Sequence, residues 1–216
     1  MSGYWRYTVI GAAVLYSALL YLVERKTIDF PKTENKWQRG YLFCTPLILL
    51  FFAAFFLIAG KEQSVLDAWE KLALMSLLWV LAYIDARTKL IPNRYLILAL
   101  GIKGGLLVVG LGMHGTDELR ILFVELIACL ILLLFCFLMR ILSKGGLGMG
   151  DVKLLSLMPL FLGISGSFGA VFYSLLVAFL LSCFYLLTRK KGKKDVIPFT
   201  PAILTGTVIY LMISNL

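Results

Sequence analysis

The run "LRILFVELIACLILLLFCFLMRIL", residues 119–142, decides what kind of chain this is. It carries only Arg120, Glu125 and Arg140 among its charges, and it is long enough to cross the ~30 Å hydrocarbon layer of a bilayer as a helix. Similar runs lie on both sides of it. The sequence predicts spans at about 4–23, 41–60, 67–86, 92–112, 119–142, 151–165, 167–188 and 198–214. Of the 216 residues, 61% are hydrophobic and 15% charged, and the mean hydropathy is +0.92. The expected fold class is therefore an all-α polytopic membrane protein with about eight transmembrane helices. The segment 151–165 is the short one, read either as half of a tight hairpin or as re-entrant. The opening stretch "YWRYTVIGAAVLYSALLYLVE" lacks a small-residue cleavage site and is expected to stay as an anchor.

The formal net charge of +9 is a matter of topology. The loops at 24–40, 87–94, 140–144 and 189–195 together carry fifteen Lys or Arg, against four (Arg6, Lys61, Lys71, Arg120) on the alternate side. Basic loops stay in the cytoplasm, so both termini are expected outside in a multi-pass cell (inner or plasma) membrane protein. Nucleic acid is not an expected partner, because no soluble module presents a basic face. Cys44, Cys129, Cys136 and Cys183 are solitary in apolar spans and His114 stands alone in an outer loop, so neither a metal nor a cofactor is expected.

Two acids stand out. Asp85 closes a span in "WVLAYIDARTKLIPN", and Asp151 opens one in "SKGGLGMGDVKLL". The charge rule places both at the cytoplasmic membrane boundary. Two carboxylates held together cannot both ionise, and such a pair can activate water while donating a proton to a peptide carbonyl. The bland alternative is that each Asp caps a helix or pairs with Arg87 or Lys153. Gly145, Gly146, Gly148 and Gly150 tip the balance, since they permit positive φ and close approach of another segment. The helix dipoles predict that Asp151, at a helix N-terminus, is the anion, and that Asp85, at a C-terminus, is the neutral acid. Pro92 is expected in the first turn of its helix. Lys103 and Glu125 are expected to pair in the outer half of the bilayer. Gly163, Gly166 and Gly169 suit either a hairpin turn or the lateral docking of an apolar helix.

"YIDARTKLIPN", "GMGDVKLL" and "VIPFTPAILTG", in that order over roughly residues 63–216, resemble the prepilin peptidase family, the GxGD aspartic proteases of type IV pilus and type II secretion systems. The resemblance implies an aspartic endopeptidase with Asp85 and Asp151 as the catalytic pair. Gly148, Gly150, Lys153, Pro92, Asn93, Pro198 and Pro201 would be supporting motif residues. It implies prepilin or pseudopilin precursors as substrates, cut on the cytoplasmic side just before their apolar helix. Residues 1–62 would form an N-terminal two-helix segment and 63–216 the peptidase domain. The short, cysteine-free loop after the first span resembles members without the zinc-binding methyltransferase insert, and archaeal preflagellin peptidases. "GISG" mimics a rhomboid serine motif at Ser165, but no histidine is placed to serve it. A presenilin-like protease would need a Pro-Ala-Leu motif that is missing from the last span. A small transporter or assembly protein without proteolytic activity is the alternative from another class.

Overall fold

A computed structural model describes residues 65–144, 146–187 and 198–214. The spans expected at 4–23 and 41–60, Cys44, Gly145 and the basic run at 189–195 lie outside the described residues. The chain divides into two compact units, Met1–Met75 and Ser76–Leu216. Among the described residues there are six helices and no strand: α1 Val65–Thr88, α2 Asn93–His114, α3 Asp117–Leu142, α4 Met149–Leu157, α5 Pro159–Leu187 and α6 Thr200–Ser214. Three of them, Asn93–Met113, Asp117–Leu142 and Pro159–Leu187, are long and apolar enough to cross a membrane. α1 is long enough but carries Asp67, Glu70, Lys71, Asp85 and Arg87.

The segment expected at 151–165 is built from two short helical pieces. α4 has nine residues, too few for a bilayer at 1.5 Å per residue. Helical structure resumes at Pro159, which has no N–H to continue the ladder. The direction then breaks at Gly163, whose φ of 66° and ψ of −174° suit a residue without Cβ. The hairpin turn is therefore at Gly163 itself.

α2 and α3 bury narrow stripes and leave the rest apolar and exposed, as helices facing lipid do. On α3 the stripe is Glu125, Ala128, Leu132 and Cys136, at helical three-to-four-residue spacing. On α2 it includes Leu96, Ala99 and Lys103. The two polar members meet: Lys103 Nζ lies 3.0 Å from a Glu125 carboxylate oxygen, with both side chains under a tenth exposed. The expected pair is thus present. Reversing either charge alone should destabilise the protein by about 3–5 kcal/mol, because it strands two buried like charges. Reversing both, in Lys103→Glu with Glu125→Lys, should recover most of that loss. Thermal unfolding of the two single variants and the double variant in detergent checks this; additive losses would refute it.

α5 and α6 approach most closely. A Cβ built on Gly206 of α6 would stand 2.3 Å from the Ser174 backbone nitrogen, and one built on Gly169 would stand 2.3 Å from the Tyr210 ring. Ser174 Oγ donates to Ile203 O across the same seam at 3.2 Å. This is small-residue packing of the kind membrane helices use. Gly166 and Gly169 therefore serve an internal seam against Tyr210.

Candidate active site

Asp85 sits in the last turn of α1 and is 5% exposed. Lys89 takes a left-handed φ of 55° just beyond the helix, and its N–H donates to Asp85 O at 2.9 Å. That reversal sends the chain through Leu90 and Ile91 to Pro92, which is the N-cap of α2 with φ −71° and ψ 129°. Pro92 thus lies one place outside the helix it was expected to begin. The Asp85 side chain turns toward α6, where its Oδ2 accepts the Thr200 backbone N–H at 2.9 Å.

The "PFTPA" stretch explains why that amide is available. Phe199 O accepts the Ala202 and Ile203 N–H groups at 2.9 and 3.1 Å, which starts the α6 ladder. Thr200 N–H then has no partner within the helix, and Pro201 has no N–H at all. Thr200 supplies the helix's first amide, at the positive end of the dipole, and Asp85 Oδ2 accepts it there.

Asp151 is the third residue after the α4 N-cap, Gly148. From that position an acidic side chain reaches back over the N-cap amide. The glycine makes room for it: a Cβ at 148 would lie 2.7 Å from Asp151 Oδ2. Gly150 serves a different neighbour, since a Cβ there would lie 2.8 Å from Ile91 Cβ. The two motif glycines are therefore required for space. Among the described residues the positive-φ glycines are Gly115 and Gly163, so the expected positive φ at Gly146, Gly148 and Gly150 does not occur. Arg140, at the end of α3, donates through Nη1 to Leu147 O and fixes the loop just before the N-cap. Lys153 Nζ donates to Asn93 Oδ1 at 3.1 Å, joining α4 to the start of α2.

Asp151 is half-buried and lies outside the three spanning helices. Burial first, and the nearby charge of Asp85 second, push its carboxyl up to about 7, against the Gly148 backbone N–H, which lowers it. Its Oδ1 is buried and has no hydrogen-bond partner. The two carboxylates are placed differently: Asp85 is buried against the first amide of α6, and Asp151 is half-buried near the α4 N-terminus. The division expected from the dipoles of α1 and α4 takes no account of that α6 amide, which lies 115 residues from Asp85 in sequence. In the sequence Arg140 reads only as a topology charge. Thr200 lies in the "PFTPA" stretch, which the family resemblance sets at a helix start beside the site without singling out this residue.

Three apolar helices long enough to span a bilayer, joined by helices that bring two interacting acids together, define a helical membrane protein with a candidate acid-pair site. The Type IV leader peptidase family matches residues 72–187, more than half of the chain and inclusive of both acids, and the chain belongs to that family. It is 29% identical over 168 residues to the prepilin leader peptidase/N-methyltransferase of Bacillus subtilis (strain 168), an alignment taking in 77% of this chain and 65% of that relative. The chain thus spans somewhat less than two thirds of the relative's length. No solved structure matches the chain.

Proposed function

We propose that this protein is a membrane aspartic endopeptidase that removes the basic leader of prepilin-like precursors, with Asp85 as the general base and Asp151 as the general acid. The observation that carries this reading is the asymmetry of the pair: Asp85 Oδ2 on the first amide of α6, and Asp151 raised by burial and by the Asp85 charge. Ionised Asp85 takes a proton from water as the water oxygen attacks the scissile carbonyl, and Asp151 protonates the carbonyl oxygen. Asp85 then gives its proton to the leaving nitrogen as the C–N bond breaks, and Asp151 recovers its own. Of the two activities in the relative's name, an acid pair serves the hydrolytic one.

The topology we propose has about eight spans, both termini outside and the acid pair at the cytoplasmic edge of the inner or plasma membrane. Residues 1–62 form a separate two-helix segment and 63–216 the peptidase domain. Precursor and enzyme loops are both basic, so the precursor's apolar helix is brought alongside by the bilayer. The test is cleavage in proteoliposomes of a precursor carrying a basic leader and an apolar helix. Moving the cleavage site several residues away from that helix should reduce cutting, and equal cutting at every depth would refute this placement.

The pH dependence follows from Asp151. A carboxyl raised to about 7 is a competent acid below that pH and is lost as an acid above it. kcat/KM should therefore fall as pH rises through about 7, close to tenfold per unit at the high end. A rate that stays flat to pH 9 would exclude Asp151 as the acid.

A further inference from the structure

Thr200 is completely buried, and its Oγ1 has no hydrogen-bond partner. Among the described residues Tyr95 Oη shares this lack of a partner, whereas several buried serine and threonine hydroxyls are satisfied along their own helices. Ser156 Oγ donates to Lys153 O at 2.8 Å, Ser167 Oγ to Ile164 O at 2.8 Å, and Thr207 Oγ1 to Ile203 O at 2.7 Å. Thr200 begins its helix, so no preceding turn offers it a carbonyl. An unsatisfied buried hydroxyl is unusual in a native protein and points to a group or a water that uses it.

Its position suggests what that use is. The hydroxyl is joined through Cα and Cβ to the very amide nitrogen that lies 2.9 Å from Asp85 Oδ2, so covalent geometry keeps it within a few ångströms of that carboxylate although it does not bond to it directly. The acid that interacts with Asp85, Asp151, also holds a buried unpartnered atom, Oδ1. A water needs two or more polar partners in a polar site, and this pair of acids with a hydroxyl supplies them.

We propose that Thr200 is a further catalytic residue, whose hydroxyl holds the attacking water against Asp85. The inference rests on the aspartic reading above. In the attack step a water lone pair forms the new C–O bond, and the water proton facing Asp85 passes to that carboxylate. The carbonyl π bond breaks, and its oxygen takes the Asp151 proton. The second water proton stays on the oxygen and is held by Thr200 Oγ1 as acceptor, which orients the lone pair toward the carbon.

Cleavage by the full chain in proteoliposomes tests this with Thr200→Val, which keeps shape and removes the hydroxyl, and Thr200→Ser, which keeps the hydroxyl. We expect Thr200→Val to lower kcat tenfold or more with KM changed by less than twofold, and Thr200→Ser to retain at least half of wild-type kcat. Thr200→Ala, a smaller residue without the hydroxyl, should match the valine variant, so that the result does not hang on one variant's folding. Rates are taken per folded molecule. Wild-type kcat in Thr200→Val, or equal losses in the serine and valine variants, would overturn the proposal. Asp85→Asn and Asp151→Asn, run alongside, separate the two levels: inactive Asp variants with a fully active Thr200→Val defeat only the threonine role, whereas active Asp variants defeat the aspartic reading itself.

Discussion

Asp85→Asn and Asp151→Asn each leave leader cleavage at or below about one hundredth of the wild-type rate, because loss of a positioned acid or base costs about 10²-fold or more. Both variants still insert and fold. In Asp85→Asn the amide oxygen can still accept the Thr200 N–H that Asp85 Oδ2 now accepts, so only a charge–dipole contribution of about 0.3–1 kcal/mol is lost. In Asp151→Asn a buried carboxyl facing a like charge is replaced by a neutral isostere. Wild-type stability drawn from protonated Asp151 is present at low pH and is lost as pH rises through about 7. The Asn variant escapes that loss, so its unfolding temperature should gain on wild type as pH rises from 3.8 to about 7 and keep that gain above. Retention of more than a tenth of wild-type cleavage by either variant would remove that residue from the pair. The assignment within the pair has its own readout. A protonated-carboxyl infrared band should vanish in Asp151→Asn and persist in Asp85→Asn, and the opposite pattern would restore the charge to Asp151.

Much of the architecture is legible in the sequence because lipid imposes one demand, long apolar helices, and that demand is written in every residue of a span. The run read at 119–142 is the helix Asp117–Leu142. Lys103 and Glu125 were legible as partners because an unpaired charge there is costly, and they meet at 3.0 Å. The break inside 151–165 is not legible, because apolar composition does not report where a helix stops. Pro159 and Gly163 stop it, and both are common in membrane helices that do not stop.

The candidate site was half legible. "GMGD" marks Asp151 because the glycines must clear the carboxylate and Ile91, and such steric needs leave a local signature. The partner of Asp85 leaves none. An amide is the same in every residue, so nothing in "PFTPA" says that its first free N–H faces an acid far away in the chain. The dipole argument weighs the helices that carry the acids and omits the helix that faces one of them.

That facing helix is held by contacts remote from the acids, which leads to a second large effect. Gly206 lies in the middle of α6 and touches neither carboxylate's known partners. A Cβ there would stand 2.3 Å from Ser174 N and 2.4 Å from Ser174 Cα, both backbone atoms of α5. A backbone cannot swing aside as a side chain can, so Gly206→Ala must push α6 away from α5 by a good part of an ångström. α6 is a single helix of fifteen residues, so the shift should reach Thr200 at its start. A displacement near 1 Å at a catalytic group costs about 10²-fold in rate. Gly206→Ala should therefore lower kcat by about that factor while the purified protein remains helical, although alanine is the better helix former. The control is Thr205→Ala, the adjacent position. Thr205 is exposed, and its hydroxyl only donates back to Pro201 O at 3.0 Å and Ala202 O at 3.1 Å. Its loss should leave kcat within twofold of wild type. A fully active Gly206→Ala would mean that the Thr200 amide does not need its present position, and the role assigned to the α6 N-terminus would fall with it.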